Sequence, residues 1–271
     1  MTALATSTLD TAVGAIEVHA GGEGGPAPVL YLHSAQGEGS ESTFLQQLAD
    51  SRRVAAPRFP GFGSSKGLEK IDDIEDAAFH ILDVIDRLGW GQCDVTGMSL
   101  GAWMAAELAV RWPERVRRLV LVNPVGLYVD GAPITEIFGR PLGELADELF
   151  ADHDHPLAQL MRTVADTMED NPSGISFDVL RPFLEAQAAT AKVGWNPYLH
   201  NPKLRARLTR ISARTLVVHG TQDGIVPRAH AEVYAAEIPD ALLVDLDGAA
   251  HLAILERPDE VAKLVLDHVG D

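Results

Sequence analysis

The chain has 271 residues, 46% of them hydrophobic, and a formal net charge of −17, so it can bury one large core and still carry an inserted segment. So large an excess of acid repels phosphate backbones and anionic lipid surfaces, which argues against nucleic-acid or membrane partners. Cys93 is the only cysteine, which rules out an internal disulfide and any zinc site built from several thiolates. Met1-Thr2-Ala3-Leu4-Ala5-Thr6 carries no positive charge and no long apolar run, so no secretory signal is expected. No stretch approaches the ~20 apolar residues of a membrane helix, and a cytoplasmic protein is expected.

In chain order, residues 15–20 read as a strand, the glycine-rich 21–25 as a hairpin connection, and 28–33 as a second, apolar strand. No Gly-Lys-Ser/Thr follows those glycines and a strand comes next, so they do not form a phosphate loop. Residues 40–50 read as a helix, 53–57 as a strand and 61–65 as a loop. Between 71 and 88, Ile74, Ala78, Ile81, Ile85 and Leu88 recur on one helical face while Asp72, Asp73, Glu75, Asp83 and Asp86 face water. Gly89 supplies a C-terminal stop. Residues 93–96 form a short strand before an Ala-rich helix, and 116–122 is apolar throughout, as in a strand covered on both faces.

This alternation predicts an α/β fold, a mostly parallel sheet flanked by helices. From 127 to 211 strand-like runs vanish. Helical segments punctuated by Pro133, Pro141, Pro156, Pro172, Pro182, Pro197 and Pro202 read instead as an insertion over one edge of the sheet. The expected organisation is a core of residues 1–126 and 212–271 with a helical cap of 127–211. The earlier rhythm resumes with a strand at 215–219, a helix at 229–236, a strand at 242–246 and a last helix from 252 to 269.

Gly97-Met98-Ser99-Leu100-Gly101 lies between the 93–96 strand and its helix. A serine on so tight a strand-to-helix turn has its hydroxyl forced out at the end of the sheet, and small residues two positions either side let the backbone approach. A serine hydroxyl is a poor nucleophile at pH 7. It needs a base within hydrogen-bond reach, held in the right tautomer by an acid. Asp223 sits in the turn after the strand ending at Gly220, and His251 follows the 242–246 strand and the small-residue loop Gly248-Ala249-Ala250. The chain order serine, aspartate, histidine belongs to one hydrolase architecture and to neither the chymotrypsin-like nor the subtilisin-like one.

On these residues the chain resembles the α/β-hydrolase superfamily over nearly its whole length. Further matching segments are Leu32-His33 with its following loop, Phe59-Pro60-Gly61-Phe62-Gly63-Ser64-Ser65, the run from His219 to Pro227, and Glu256-Arg257-Pro258. The resemblance implies an α/β-hydrolase fold with a helical cap and a catalytic triad of Ser99, Asp223 and His251. It also implies an oxyanion hole from the N–H groups of Leu100 and Ala35, and no cofactor or metal. Two residues depart from the family pattern. Ser34 stands where members usually have glycine after the early-loop histidine, which puts the Ala35 donor in question, and a missing donor costs about 2.7–4 kcal/mol of transition-state stabilisation. Arg58 replaces an acid that many relatives carry.

A serine nucleophile excludes the aspartyl-ester chemistry of epoxide- and haloalkane-cleaving relatives. The implied activity is that of a carboxylesterase acting on small to medium acyl esters, with a small-molecule ester as partner. Hydrolases of carbon–carbon bonds in dienoic ring-cleavage products share the triad and cap. They often carry tryptophan directly after the histidine, where this chain has Leu252. A third reading is a slow-turnover ligand-binding member of the fold.

Other residues receive structural readings. His33 and His219 end strands and are expected to be structural. Asp152-His153-Asp154-His155 are adjacent and not expected to converge on one ion. Asp245 and Asp247 are weaker candidates for the acid. Phe138, Phe150, Met161, Met168, Phe177, Phe183, Trp195 and Tyr198 are expected to hold the cap together, some of them lining an apolar cleft. Glu144, Glu148, Glu169 and Glu185 offer an alternative, a site for a peptide's amino terminus.

Overall fold

Eight strands pair into one sheet in the computed structural model, which describes residues 1–171 and 174–270. They are β1 (Ala5–Asp10), β2 (Ala15–Gly21), β3 (Val29–Leu32), β4 (Val54–Pro57), β5 (Cys93–Met98), β6 (Val116–Val122), β7 (Arg214–Gly220) and β8 (Ala241–Leu246). Their order is β1-β2-β4-β3-β5-β6-β7-β8. The β1–β2 and β2–β4 pairs are antiparallel, and every other pair is parallel. The α/β fold with a mostly parallel sheet is therefore as expected.

Two strand expectations are corrected. β1 was not anticipated: it is an edge strand with most of its residues exposed, so no buried face leaves an apolar alternation to read. The glycines at 21–25 do not close a hairpin, because β2 pairs with β4 and not with β3. β4, with Val54, Ala55 and Ala56 all buried, lies between them.

The helices are α1 (Thr43–Ala49), α2 (Ile74–Arg87), α3 (Leu100–Arg111), α4 (Leu142–Leu149), α5 (Pro156–Asp170), α6 (Phe177–Gly194), α7 (Arg228–Glu237), α8 (Ala253–Glu256) and α9 (Pro258–Gly270). In α2 the side chain of Asp73 caps the N–H groups of Glu75 and Asp76. Ile74, Ala78, Ile81 and Ile85 are buried on its inner face, with Leu88 half-buried. The last helix, expected to be continuous, breaks into α8 and α9, because Pro258 has no N–H to continue the ladder and instead opens α9. Between β6 and β7 the described residues hold α4, α5 and α6 and no strand of the sheet. Pro156 opens α5. Pro182, expected as punctuation, instead lies inside α6 at an exposed position, where water reaches the backbone it frees. Pro172 lies outside the described residues.

Parallel register brings the C-terminal ends of five strands to one edge. Leu32 pairs with Gly97, Met98 with Val122, Val122 with Val218, and Gly220 with Leu246. Loops leaving that edge are where an open α/β sheet binds ligands.

The core also buries imidazoles, His80 on α2 and His33 at the end of β3. Burial pushes His80 down to about 4 and lowers His33 as well. Between pH 6.5 and 4 the unfolded chain therefore binds more protons than the folded one, and stability falls with falling pH. Tm is expected to drop as pH is lowered from 7 to 5, with a shallower slope in His80→Leu. Thermal melts across that range check this, and an unchanged slope in the variant refutes the contribution of His80.

Candidate active site

Ser99 ends the turn between β5 and α3 with φ 54° and ψ −113°, a conformation that non-glycine residues rarely adopt. The spacing of the two glycines explains how it is held. A Cβ on Gly97 would strike the Gly101 carbonyl, and one on Gly101 would strike the Leu32 carbonyl. The Ser99 N–H donates to Val122 C=O at 2.9 Å, and Trp103 N–H donates to Ser99 C=O at 3.1 Å, so the turn is tied to both β6 and its own helix.

The hydroxyl of Ser99 lies 2.8 Å from His251 Nε2. On the other side of the ring, His251 Nδ1 lies 2.9 Å from Asp223 Oδ2 and 3.1 Å from Oδ1. A carboxylate can only accept, so Nδ1 carries the proton and Nε2 is left to accept from the serine. Asp223 Oδ1 also accepts the N–H groups of Ile225 (2.8 Å) and Val226 (2.9 Å), which locks the carboxylate. The side chains of Asp223 and His251 are 0% and 4% exposed. The structure thus joins the three residues the sequence singled out into one hydrogen-bonded chain.

Leu100 opens α3, so its N–H is among those with no partner inside the helix. Leu100 and Ala35 both line the same cleft as Ser99. The substitution at Ser34 leaves its loop well ordered. Ser34 N–H donates to Glu38 Oε2 at 2.8 Å, its hydroxyl bonds the other oxygen of Glu38, and Gln36 N–H donates to Ser34 Oγ at 3.0 Å. Tyr31 Oη–H donates to the same carboxylate at 3.0 Å. The Ser34 hydroxyl is therefore engaged with the buried Glu38. Arg58, the other departure, donates to Gly37 C=O in that same loop.

Two contributors to the site, Glu38 and Asn123, escaped sequence reasoning, and two more, Arg58 and Glu256, were named there without a role. Asn123, fully buried with φ 45°, directly follows β6. Its Nδ2 donates to Ala250 C=O (3.0 Å) and His251 C=O (2.8 Å), and its Oδ1 accepts the Gly220 N–H (2.9 Å). One side chain thus ties the aspartate loop to the histidine loop. Glu256 accepts the Ala250 N–H at 2.7 Å with one oxygen and the N–H groups of Ala151 (2.7 Å) and Asp152 (2.9 Å) with the other. The positive φ of Asn123 is a property of the backbone that composition does not reveal.

Other candidates settle into structural roles. His33 Nδ1–H donates to Ser34 C=O (2.7 Å) while Nε2 accepts the Phe59 N–H (2.9 Å), so the neutral ring pins two loops together. His219 is buried and makes no hydrogen bond with Ser99, Asp223 or His251. Asp245 pairs with Arg228, and Asp247 accepts from Thr221. His155 caps α5 and stacks on Phe150, with ring centroids 4.6 Å apart. Among the described residues no group of three or more His, Cys, Asp or Glu side chains could hold a metal ion.

The cleft over Ser99 is roofed by side chains of α4, α5 and α6, and spans about 690 Å³ not filled by atoms, part of it open to solvent. Its walls are mostly aliphatic, with Phe183 the one phenyl ring among the described lining residues. Phe150 and Met161 are buried as expected. Phe177 and Trp195 are 66% and 64% exposed, and Met168 is exposed too, so these three do not hold the helices together through burial. None of Glu144, Glu148, Glu169 and Glu185 lines the cleft, which leaves it without an anchor for an amino terminus. Among the described residues no Lys, Arg, Asp or Glu lines it.

The Alpha/beta hydrolase family model matches residues 18–264. The 2-hydroxymuconate semialdehyde hydrolase of Pseudomonas putida is 33% identical over 275 residues, covering 94% of this chain and 90% of that protein. The dihydrolipoyllysine-residue acetyltransferase component of the acetoin cleaving system of Cupriavidus necator is 30% identical over 255 residues. That match covers 91% of this chain, which spans 64% of the length of the acetyltransferase component. The solved 2-hydroxy-6-oxo-6-phenylhexa-2,4-dienoate hydrolase of Rhodococcus sp. strain RHA1 superposes with a TM-score of 0.76 at 25% identity, covering 99% of each chain. No helix among the described residues is long and apolar enough to cross a membrane.

Proposed function

We propose that this chain, which belongs to the Alpha/beta hydrolase family, hydrolyses carboxylic esters of small to medium acyl groups through a covalent serine ester. The observation that carries the reading is the 2.8 Å contact between Ser99 Oγ and His251 Nε2 at the floor of an uncharged cleft. Ser99 Oγ attacks the ester carbonyl carbon while His251 Nε2 takes its proton, and Asp223 stabilises the imidazolium that forms. The oxyanion is held by the N–H groups of Leu100 and Ala35. Collapse breaks the bond to the alcohol, which leaves with the proton from His251. Water, deprotonated by the same imidazole, then releases the acid and restores Ser99. The helices between β6 and β7 act as a cap that keeps bulk water from the acyl-enzyme.

A second reading, cleavage of a carbon–carbon bond in a dienoic acid, is favoured by the similarity to the 2-hydroxymuconate semialdehyde and dienoate hydrolases. A dienoate carries a carboxylate, and a carboxylate drawn into a cleft without a cation loses hydration with no pairing in return. Because no Lys or Arg lines the cleft, the ester reading is preferred. The test compares p-nitrophenyl acetate, butyrate and octanoate with a coloured dienoate ring-cleavage product, alongside mass spectrometry after fluorophosphonate treatment. Ester turnover with an adduct on Ser99 is expected. A higher kcat/KM on the dienoate than on every ester reverses the preference, and an unlabelled Ser99 removes the nucleophile.

A further inference from the structure

The roof of the cleft contains one buried polar group that nothing among the described residues satisfies. Thr190, on α6, is 1% exposed, and its Oγ1 has no hydrogen-bond partner. A threonine inside a helix commonly bonds its hydroxyl back to the carbonyl of the preceding turn. This one does not. Of the buried side-chain polar atoms that lack a partner among the described residues, Thr190 Oγ1 is the one whose residue lines the cleft. A buried hydroxyl without a partner bears the full cost of its lost hydration, so such groups mark places where something else completes the bond.

Gln187 lies one turn earlier on the same face of α6 and also lines the cleft. Its Nε2 donates to Ile137 C=O at 3.3 Å, which fixes the amide and leaves Oε1 as an acceptor. α6 therefore presents a donor and an acceptor three residues apart in otherwise aliphatic surroundings. The chemistry selects among polar groups. A hydroxyl both accepts and donates and so satisfies Thr190 and Gln187 together. A keto oxygen accepts from Thr190 but offers Gln187 nothing, and a carboxylate finds no cation among the lining residues.

On the ester reading above, we propose that Thr190, aided by Gln187, determines specificity for esters that carry a neutral hydroxyl group away from the reacting carbonyl. Thr190 does not touch the reacting atoms. It lowers KM for the hydroxylated ester and does not take part in proton transfer.

The test measures kcat and KM for ethyl butyrate, ethyl 3-hydroxybutyrate and 2-hydroxyethyl butyrate, which place the hydroxyl nowhere, on the acid or on the alcohol. The parent enzyme is expected to prefer one hydroxylated ester over ethyl butyrate. In Thr190→Val, which keeps the shape and deletes the hydroxyl, that ratio of kcat/KM is expected to fall at least about tenfold, mainly through KM. Thr190→Ser should retain the preference. Thr190→Ala gives the same comparison as valine if valine fails to fold, and a partly folded preparation lowers all three rates alike without moving the ratio. An unchanged ratio in the valine or alanine variant, or no preference in the parent, overturns the assignment of Thr190. A parent that hydrolyses none of the three esters overturns the ester reading itself.

Discussion

Replacing Ser99 with alanine is expected to cut turnover of p-nitrophenyl butyrate by about 10⁴–10⁶-fold. The substitution deletes the only atom of the side chain that meets His251 Nε2, so no serine ester can form. What survives is the binding and polarisation supplied by the cleft and the backbone N–H groups, which in comparable sites leaves only a small residual rate. Stability responds differently. One hydrogen bond of a buried hydroxyl is lost, worth about 1 kcal/mol, and the positive φ at position 99 suits alanine no better and no worse than serine. The diagnostic result is therefore a collapsed kcat with a thermal midpoint within a few degrees of the parent. A loss of less than tenfold in kcat would show that Ser99 is not the nucleophile.

Asn123→Ala is expected to damage both stability and activity. The residue is fully buried, and its loss leaves the Gly220 N–H, the Ala250 C=O and the His251 C=O without their partner. At roughly 1–3 kcal/mol for each buried group left unpaired, with partial relaxation, the expected loss is about 3–5 kcal/mol in urea unfolding. A further contribution comes from the φ of 45°, which asparagine tolerates better than alanine. The catalytic effect is separate from the energetic one. Asn123 holds the main chain of His251 itself, so releasing it lets the imidazole drift from Ser99, and a drift of about 1 Å costs on the order of 100-fold in rate. Urea titration and steady-state kinetics on the same preparation separate the two effects. A variant that loses under 1 kcal/mol and keeps its kcat would mean the two loops hold their own shapes.

These two residues also mark how far the sequence could be read. Ser99 was visible because part of its constraint is local: a Cβ on residue 97 would strike the backbone of residue 101 within the same turn, while Gly101 is required by the Leu32 carbonyl of the neighbouring strand. Asp223 and His251 were visible because each follows an apolar strand that pattern alone reveals. Asn123 carried no such mark. Its partners lie 97 to 128 positions away, and an asparagine after a strand reads as an ordinary loop residue. The role of Glu256 was hidden for the same reason, since it accepts the Ala151 and Asp152 N–H groups 105 and 104 positions away. Glu38 instead bonds close by in sequence, to Ser34 and Tyr31, where no sequence pattern marks it. Strand β1 was hidden differently, because an exposed edge strand imprints no burial pattern.

Residue order alone determined the alternation of apolar strands and amphipathic helices, the glycine at position 97 and the placement of Ser99, Asp223 and His251 in loops just past strands, since each depends on chemistry within a few residues. Folding decided the rest: that β4 comes between β2 and β3, that one asparagine locks two distant loops, and that Thr190 faces an uncharged cleft with its hydroxyl unpaired. Those outcomes depend on which groups lose contact with water together, and that is settled only when remote parts of the chain close over one another.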